Sequence, residues 1–142
     1  MADFEHPFRR SGLLLSGSQQ TLNGESGGEE DGILTALEMS LMDLRSTQLA
    51  VLSACETGLG EVQNGEGVFG LQRALQLAGA ENLIMSLWKV DDQATQLLMT
   101  EFYEKYTTGL GIRESLRAAQ LAVRESYPHP YYWSSFVHVG LD

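Results

Sequence analysis

Residues whose side chains could take part in chemistry lie at the ends of two apolar segments of the sequence. A thiol follows the first segment, and an indole and two carboxylates lie at the end of the second. Cys55 follows the run Q-L-A-V-L-S-A, and Trp88 ends the run N-L-I-M-S-L-W, shortly before Asp91 and Asp92. Ligands of open α/β sheets bind beyond the carboxyl ends of the strands, so we expect these four side chains to share one neighbourhood. A thiolate in such a place is suited to nucleophilic attack when a histidine activates it.

Each of these residues also has a purely structural interpretation. Free cysteine is among the most buried residue types, so position alone leaves Cys55 open between a nucleophile and a structural thiol. Asp91 and Asp92 are interpreted as a loop acid and a helix N-cap, respectively. Alternatively, one of them forms the floor of a pocket for a basic side chain. The aromatic residues Tyr131, Tyr132, Trp133 and Phe136 are more typical of a packing lid than of a binding surface.

The sequence indicates no cofactor and no metal. The glycine-rich stretch G-L-G-E-V-Q-N-G-E-G lacks both phosphate-loop patterns and contains two glutamates that would repel phosphate. None of the three histidines, His6, His129 and His138, has the spacing of a metal ligand or of a catalytic base. We interpret the glycine-rich stretch as a mobile loop that borders a cleft.

Composition excludes several function classes. The chain has 142 residues, which is the size of one domain or part of one, and a formal net charge of −10. Such an acidic chain offers no basic surface for nucleic acid or for an anionic membrane. Its single cysteine allows no internal disulfide and suits a reducing, cytoplasmic location.

Strands and helices are predicted to alternate after a weakly patterned start. We divide the chain into a partial N-terminal segment and loop, 1–32, and a regular core, 33–142. The predicted strands are Leu13–Leu15, Gln48–Ala54, Asn82–Trp88 and Phe136–Val139, and the predicted helices are Ile33–Met39 capped by Asp31, Val68–Ala78, Asp92–Tyr106 and Ile112–Ser126. This order predicts an α/β fold with a mostly parallel sheet that is thin for its class.

Several long motifs, in order, resemble the CHAT domain. They are D-G-I-L-T-A-L-E at 31–38, L-S-A-C-E-T-G-L-G at 52–60, G-E-G-V-F-G-L-Q-R-A at 65–74, the segment 78–95 around N-L-I-M-S-L-W-K-V-D-D, and H-P-Y-Y-W-S-S-F-V-H-V-G at 129–140. This family is a caspase-like, separase-related cysteine peptidase fold, commonly C-terminal to tetratricopeptide repeats. The resemblance implies a three-layer sandwich with a mostly parallel sheet, a protein substrate and a repeat region in the same polypeptide.

The resemblance also implies a Cys–His dyad in which Cys55 is the nucleophile. It places Asp92, or less favourably Asp91, where a basic substrate side chain would be received, with Trp88 as a wall of that pocket. The family histidine lies in an A-T-H-G-like motif that nothing in this sequence matches, since His6 precedes proline. We therefore expect a truncated domain that lacks the histidine and the first strand and that self-associates through an exposed sheet edge. The alternative is a non-catalytic caspase-like module for protein interaction or regulation.

Overall fold

The computed structural model describes residues 8, 11–24, 31–53 and 66–141, and only the backbone of 66–68. The chain divides into two compact units. Unit 1 comprises Met1–Thr47 and Glu56–Ala80, and unit 2 comprises Gln48–Cys55 and Glu81–Asp142. In the described part of the chain, no helix is long and apolar enough to cross a membrane.

Unit 1 contains a small antiparallel pair of strands. β1 (Gly12–Leu14) pairs with β2 (Ile33–Thr35), and α1 (Ser18–Leu22) lies between them in sequence. The chain then turns directly into α2 (Ala36–Ser40), where Thr35 and Glu38 form a reciprocal capping box. The helix predicted over Ile33–Met39 is therefore wrong in its first half.

The physical reason for this error is a pairing between distant segments. Leu34 lies opposite Leu13, so its backbone is held in a ladder that no local pattern reveals. Asp31, predicted as the helix cap, instead accepts a hydrogen bond from the Ile33 amide at 2.9 Å. The helix begins only where the Thr35 side chain accepts from the Glu38 amide.

The helix α3 (Glu66–Ala78) packs against α2 and ends at Gly79, as predicted. Gly79 has a φ of +104°, and its amide donates to the Gln76 carbonyl while the Ala80 amide donates to the Leu75 carbonyl. These two bonds form the Schellman motif, which satisfies the last carbonyls of a helix. Unit 1 buries Leu71 and Leu75 of α3 and Met39 of α2.

Unit 2 is built on a three-stranded sheet with the order β3–β4–β5. β3 (Ala50–Leu52) runs parallel to β4 (Asn82–Ser86), whereas β5 (Phe136–Gly140) runs antiparallel to β4. The described sheet is therefore mixed, and the expectation of a mostly parallel sheet is not met. Two long helices lie between β4 and β5 in the chain. The first carries the chain back from the carboxyl end of β4, and the second returns it to that end, so β5 starts there and runs antiparallel to β4.

Two long helices cover one face of this sheet. α4 (Asp92–Thr107) and α5 (Ile112–Ser126) pack against each other and match the predicted helices to within one residue, and the short α6 (Pro130–Trp133) follows. Their apolar faces enclose a continuous core with β4 and β5, which includes Ile84, Ala94, Leu98, Phe102, Leu116, Ala119, Val123 and Phe136. Burial of these side chains is the main stabilising contribution within unit 2.

Candidate functional site

The parallel pair β3 and β4 brings two chain segments to one edge of the sheet. Leu52 lies opposite Met85, so both strands end at the same side. Cys55 is three positions beyond Leu52 in sequence, and Trp88 is three positions beyond Met85. The prediction for Cys55 falls outside the described residues, whereas those for Trp88, Asp91 and Asp92 fall within them.

Trp88 is held in place by α6. Its Nε1 donates to the backbone carbonyl of Tyr131 at 3.1 Å, and the two rings are stacked with their centroids 6.5 Å apart. The Tyr131 hydroxyl donates in turn to the backbone carbonyl of Lys89. The aromatic residues of α6 therefore pack against the loop after β4 and immobilise it, in agreement with the predicted packing role.

Asp91 is the N-cap of α4, and Asp92 is the first residue of the helix. The Asp91 carboxylate accepts hydrogen bonds from the amides of Gln93 at 3.0 Å and Ala94 at 3.1 Å. The sequence predicted the cap one residue later, at Asp92, because both aspartates suit a cap and only backbone angles distinguish them. Both side chains are exposed. Asp92 thus keeps a carboxylate that no described hydrogen bond occupies.

Two buried hydroxyl groups lie near the same end of β4. Ser86 ends the strand at 2% exposure, and Ser135 is fully buried just before β5. Neither Oγ has a hydrogen-bond partner among the described residues. Sequence reasoning missed both, and the only signal was a serine within an otherwise apolar strand.

Both described histidines have structural roles. His129 is the N-cap of α6, and its Nδ1 accepts from the Tyr131 amide at 3.2 Å. Nε2 of His138 lies 2.9 Å from Oδ1 of Asn82, which links β5 to β4. His6 lies outside the described residues. Within the described ranges, no group of three His, Cys, Asp or Glu side chains is placed to hold a metal ion.

Comparison with known proteins agrees with the motifs that surround this edge. The CHAT domain profile matches residues 2–141, which is nearly the whole chain. No solved structure matches the chain significantly.

Two curated relatives are similar to this chain. Mouse tetratricopeptide repeat protein 28 is 35% identical over 113 residues, which is 78% of this chain and 4% of the relative. Human tetratricopeptide repeat protein 28 is 31% identical over 147 aligned residues, which is 99% of this chain and 6% of the relative. The chain thus spans only a small part of the length of these relatives. The match of the family profile over residues 2–141 shows that this chain belongs to the CHAT domain family.

Proposed function

We propose that this domain is the nucleophile-bearing part of a cysteine endopeptidase with a caspase-like three-layer architecture. In this proposal the Cys55 thiolate attacks the scissile peptide carbonyl, and the backbone amide of Cys55 helps to bind the oxyanion. The observation that supports it best is membership of the CHAT family together with an S-A-C-E-T-G motif that directly follows β3.

The proposal assigns the recognition of a basic substrate side chain to the loop after β4. Asp92 is the favoured partner, because the Asp91 carboxylate already accepts two amides of α4. Trp88 supplies an apolar wall whose position is supported by Tyr131. Asp91 then contributes by fixing the start of the helix rather than by binding substrate directly.

The repeat proteins among the relatives support a wider arrangement. We infer a tetratricopeptide region in the same polypeptide, which would present protein substrates to the domain. The single cysteine suits a reducing compartment such as the cytoplasm.

A non-catalytic, caspase-like interaction module is the second candidate. It is favoured by the histidines of this sequence, none of which lies in the motif that the family resemblance implies. Two of the three already take part in structural hydrogen bonds. Loss of a general base typically lowers a rate about 10²–10⁴-fold, so the dyad histidine decides between the two functions.

The alkylation rate of Cys55 between pH 5 and 10, followed by intact mass, tests both candidates. A free thiol titrates near about 8.5, whereas a histidine-paired thiol titrates at roughly 3.5–7.5. A low midpoint that returns to the free value in His6→Ala would identify His6 as the activating base. A midpoint near the free value would contradict an active dyad within these 142 residues and favour the interaction module.

Substrate preference is tested separately on the polypeptide that joins this domain to its repeat region. The proposal expects cleavage after arginine or lysine in preference to leucine, and a loss of that preference in Asp92→Asn. Equal cleavage after arginine and leucine would contradict the assigned role of Asp92. Asp91→Asn is the matched control, since asparagine preserves a helix cap.

A further inference from the structure

An open groove lies beside the outer strand of unit 2, between α5 and β5. It has a volume of about 610 Å³, which is within the range of ligand and peptide sites. One wall is formed by Arg113, Arg117 and Gln120 of α5, and the other by Phe136 and His138 of β5. The groove uses none of the residues assigned to peptide hydrolysis.

The backbone of β5 exposes hydrogen-bonding groups to this groove. The Leu87 amide donates to the Ser135 carbonyl at 2.8 Å, so these two residues form a hydrogen-bonded pair across β4 and β5. Because such pairs alternate along antiparallel strands, the amides and carbonyls of Phe136 and His138 point away from β4. The Gln120 side chain confirms this direction, since it donates to the Phe136 carbonyl at 2.9 Å.

β5 is thus an edge strand of the described sheet with backbone groups that can bind another strand. The Phe136 carbonyl is occupied by Gln120, whereas the amide and carbonyl of His138 have no backbone partner among the described residues. Edges of this kind accept extended peptides, whose main chain provides affinity and whose side chains provide specificity.

The charge of the groove is opposite to that of the rest of the chain. Arg113 and Arg117 are four residues apart on α5, so they lie on one face of the helix and line the same wall. The described lining contains no aspartate or glutamate, although the chain has a net charge of −10. Arg117 is exposed and has no ion-pair partner within the described part of the chain. A carboxylate of a ligand would therefore meet Arg117, which no acid of the described residues neutralises.

We propose that the groove between α5 and β5 binds an extended acidic peptide of another protein. The peptide adds to the edge of β5 through the amide and carbonyl of His138, and a carboxylate on it binds Arg117. Trp133 at the same groove supplies an apolar contact for a neighbouring side chain. This docking site shares no residue with the proposed peptidase site, so it does not require that Cys55 be active.

Fluorescence anisotropy on the full 142-residue chain tests the proposal with a labelled nonapeptide that alternates valine and glutamate. A peptide that alternates valine and lysine and a single-stranded oligonucleotide serve as competing probes. We expect Arg117→Glu to weaken binding of the glutamate peptide at least tenfold. Arg73→Glu is the matched control, because it makes the same charge change on an exposed position of α3 that does not line the groove, and it should alter binding less than twofold.

Amide hydrogen exchange then distinguishes strand addition from simple charge attraction. Saturating glutamate peptide should slow exchange of the His138 amide at least tenfold. Exchange of the Val137 amide, which already points toward β4 by the same alternation, should change little.

Any one of four results in these two experiments would overturn the proposal, and a fifth concerns the protein without peptide. They are equal binding of the lysine peptide, equal binding of the oligonucleotide, equal effects of Arg117→Glu and Arg73→Glu, and an unprotected His138 amide in the bound state. Protection of His138 that rises with protein concentration without any peptide would assign the edge to a second copy of the chain, and would overturn it as well.

Discussion

Trp88 and Tyr131 lie 43 positions apart in sequence and are joined both by a hydrogen bond and by ring stacking. The indole of Trp88 donates to the main chain of Tyr131, while the phenol of Tyr131 donates to the main chain of Lys89. Each aromatic side chain therefore donates a hydrogen bond to a backbone carbonyl in the segment that contains the other aromatic residue. This reciprocity fixes the loop after β4 against α6, and with it the start of α4.

We expect Tyr131→Phe to destabilise the protein modestly, by about 0.5–1.5 kcal/mol, because it removes one hydrogen bond and keeps the ring. Tyr131→Ala should cost more and should shift the emission of Trp88 to longer wavelength as the indole loses its stacked neighbour. The measurement is tryptophan fluorescence in a Trp133→Phe background, so that Trp88 alone emits. Tyr103→Ala, on an exposed position of α4, is the control, and an equal red shift there would contradict the interpretation.

The N-cap of α4 predicts different losses of stability for substitutions of the two adjacent aspartates. Asp91→Ala should lower the free energy of unfolding by about 0.5–2 kcal/mol, since two amides lose their acceptor. Asp92→Ala should cost less, about 0.3–1 kcal/mol, through the loss of a negative charge in the first turn. Urea denaturation of both variants measures the difference. The reverse ranking would place the cap at Asp92.

Gly79 and Gly109 form a matched pair of helix-terminating glycines. Both have positive φ angles, +104° and +95°, so an alanine at either position is strained by about 1–2 kcal/mol. An added Cβ at Gly79 would lie 2.7 Å from Cγ and 3.1 Å from Cα of Arg45, whereas at Gly109 it would meet open space. Gly79→Ala should therefore destabilise the protein more than Gly109→Ala in thermal or urea unfolding. Equal losses of stability in the two variants would show that the loop around Arg45 moves to accommodate the added methyl group without a cost in free energy.

Because Asp43 and Arg45 form an ion pair at the surface, we expect the pKa of the Asp43 carboxyl to depend on Arg45. Hydrogen bonds from the Arg45 side chain, at 2.7 and 2.8 Å, lower the pKa of the Asp43 carboxyl below its ordinary value. Arg45→Gln should raise that pKa, as measured by an NMR titration of the Asp43 carboxyl. Arg73→Gln, elsewhere in unit 1, should leave it unchanged.

The sign of the associated stability effect follows from the lowered pKa. The pair stabilises the folded state above the pKa of Asp43 in the unfolded chain, and this contribution is lost as the pH falls through the lower, folded-state pKa. Both side chains are exposed, at 81% for Arg45 and 64% for Asp43, so the effect on unfolding should be small. A large loss of stability in Arg45→Gln at neutral pH would mean that Arg45 acts through its packing beside Gly79 instead.

The long elements of unit 2 were predictable from the sequence because their signals are local. α5 has a regular apolar stripe through Leu116, Ala119 and Val123, and all three are buried. β4 is buried at every position, as its continuous apolar run predicts. For the site, the same reasoning placed Trp88 at the end of the strand and the two aspartates just beyond it, whereas β4 ends two residues earlier, at Ser86.

Features that depend on distant partners were not predictable. The sequence pattern predicts a helix over β2, because only the pairing with β1 makes this segment a strand. The capping box of Thr35 and Glu38, at which the helix begins, is present in the sequence as T-x-x-E. The antiparallel direction of β5 depends on how α4 and α5 return the chain, which no residue pattern of β5 reveals. The choice of Asp91 over Asp92 as the cap likewise depends on backbone angles.

The division into two units has a consequence for how such a domain can be inherited. The chain passes between the units three times, after Thr47, after Cys55 and after Ala80. No contiguous stretch of the gene therefore encodes the whole of either unit without part of the other. Recombination at a single breakpoint within the domain would leave one unit without a strand or a helix. We therefore expect the domain to be exchanged between larger proteins only as a whole.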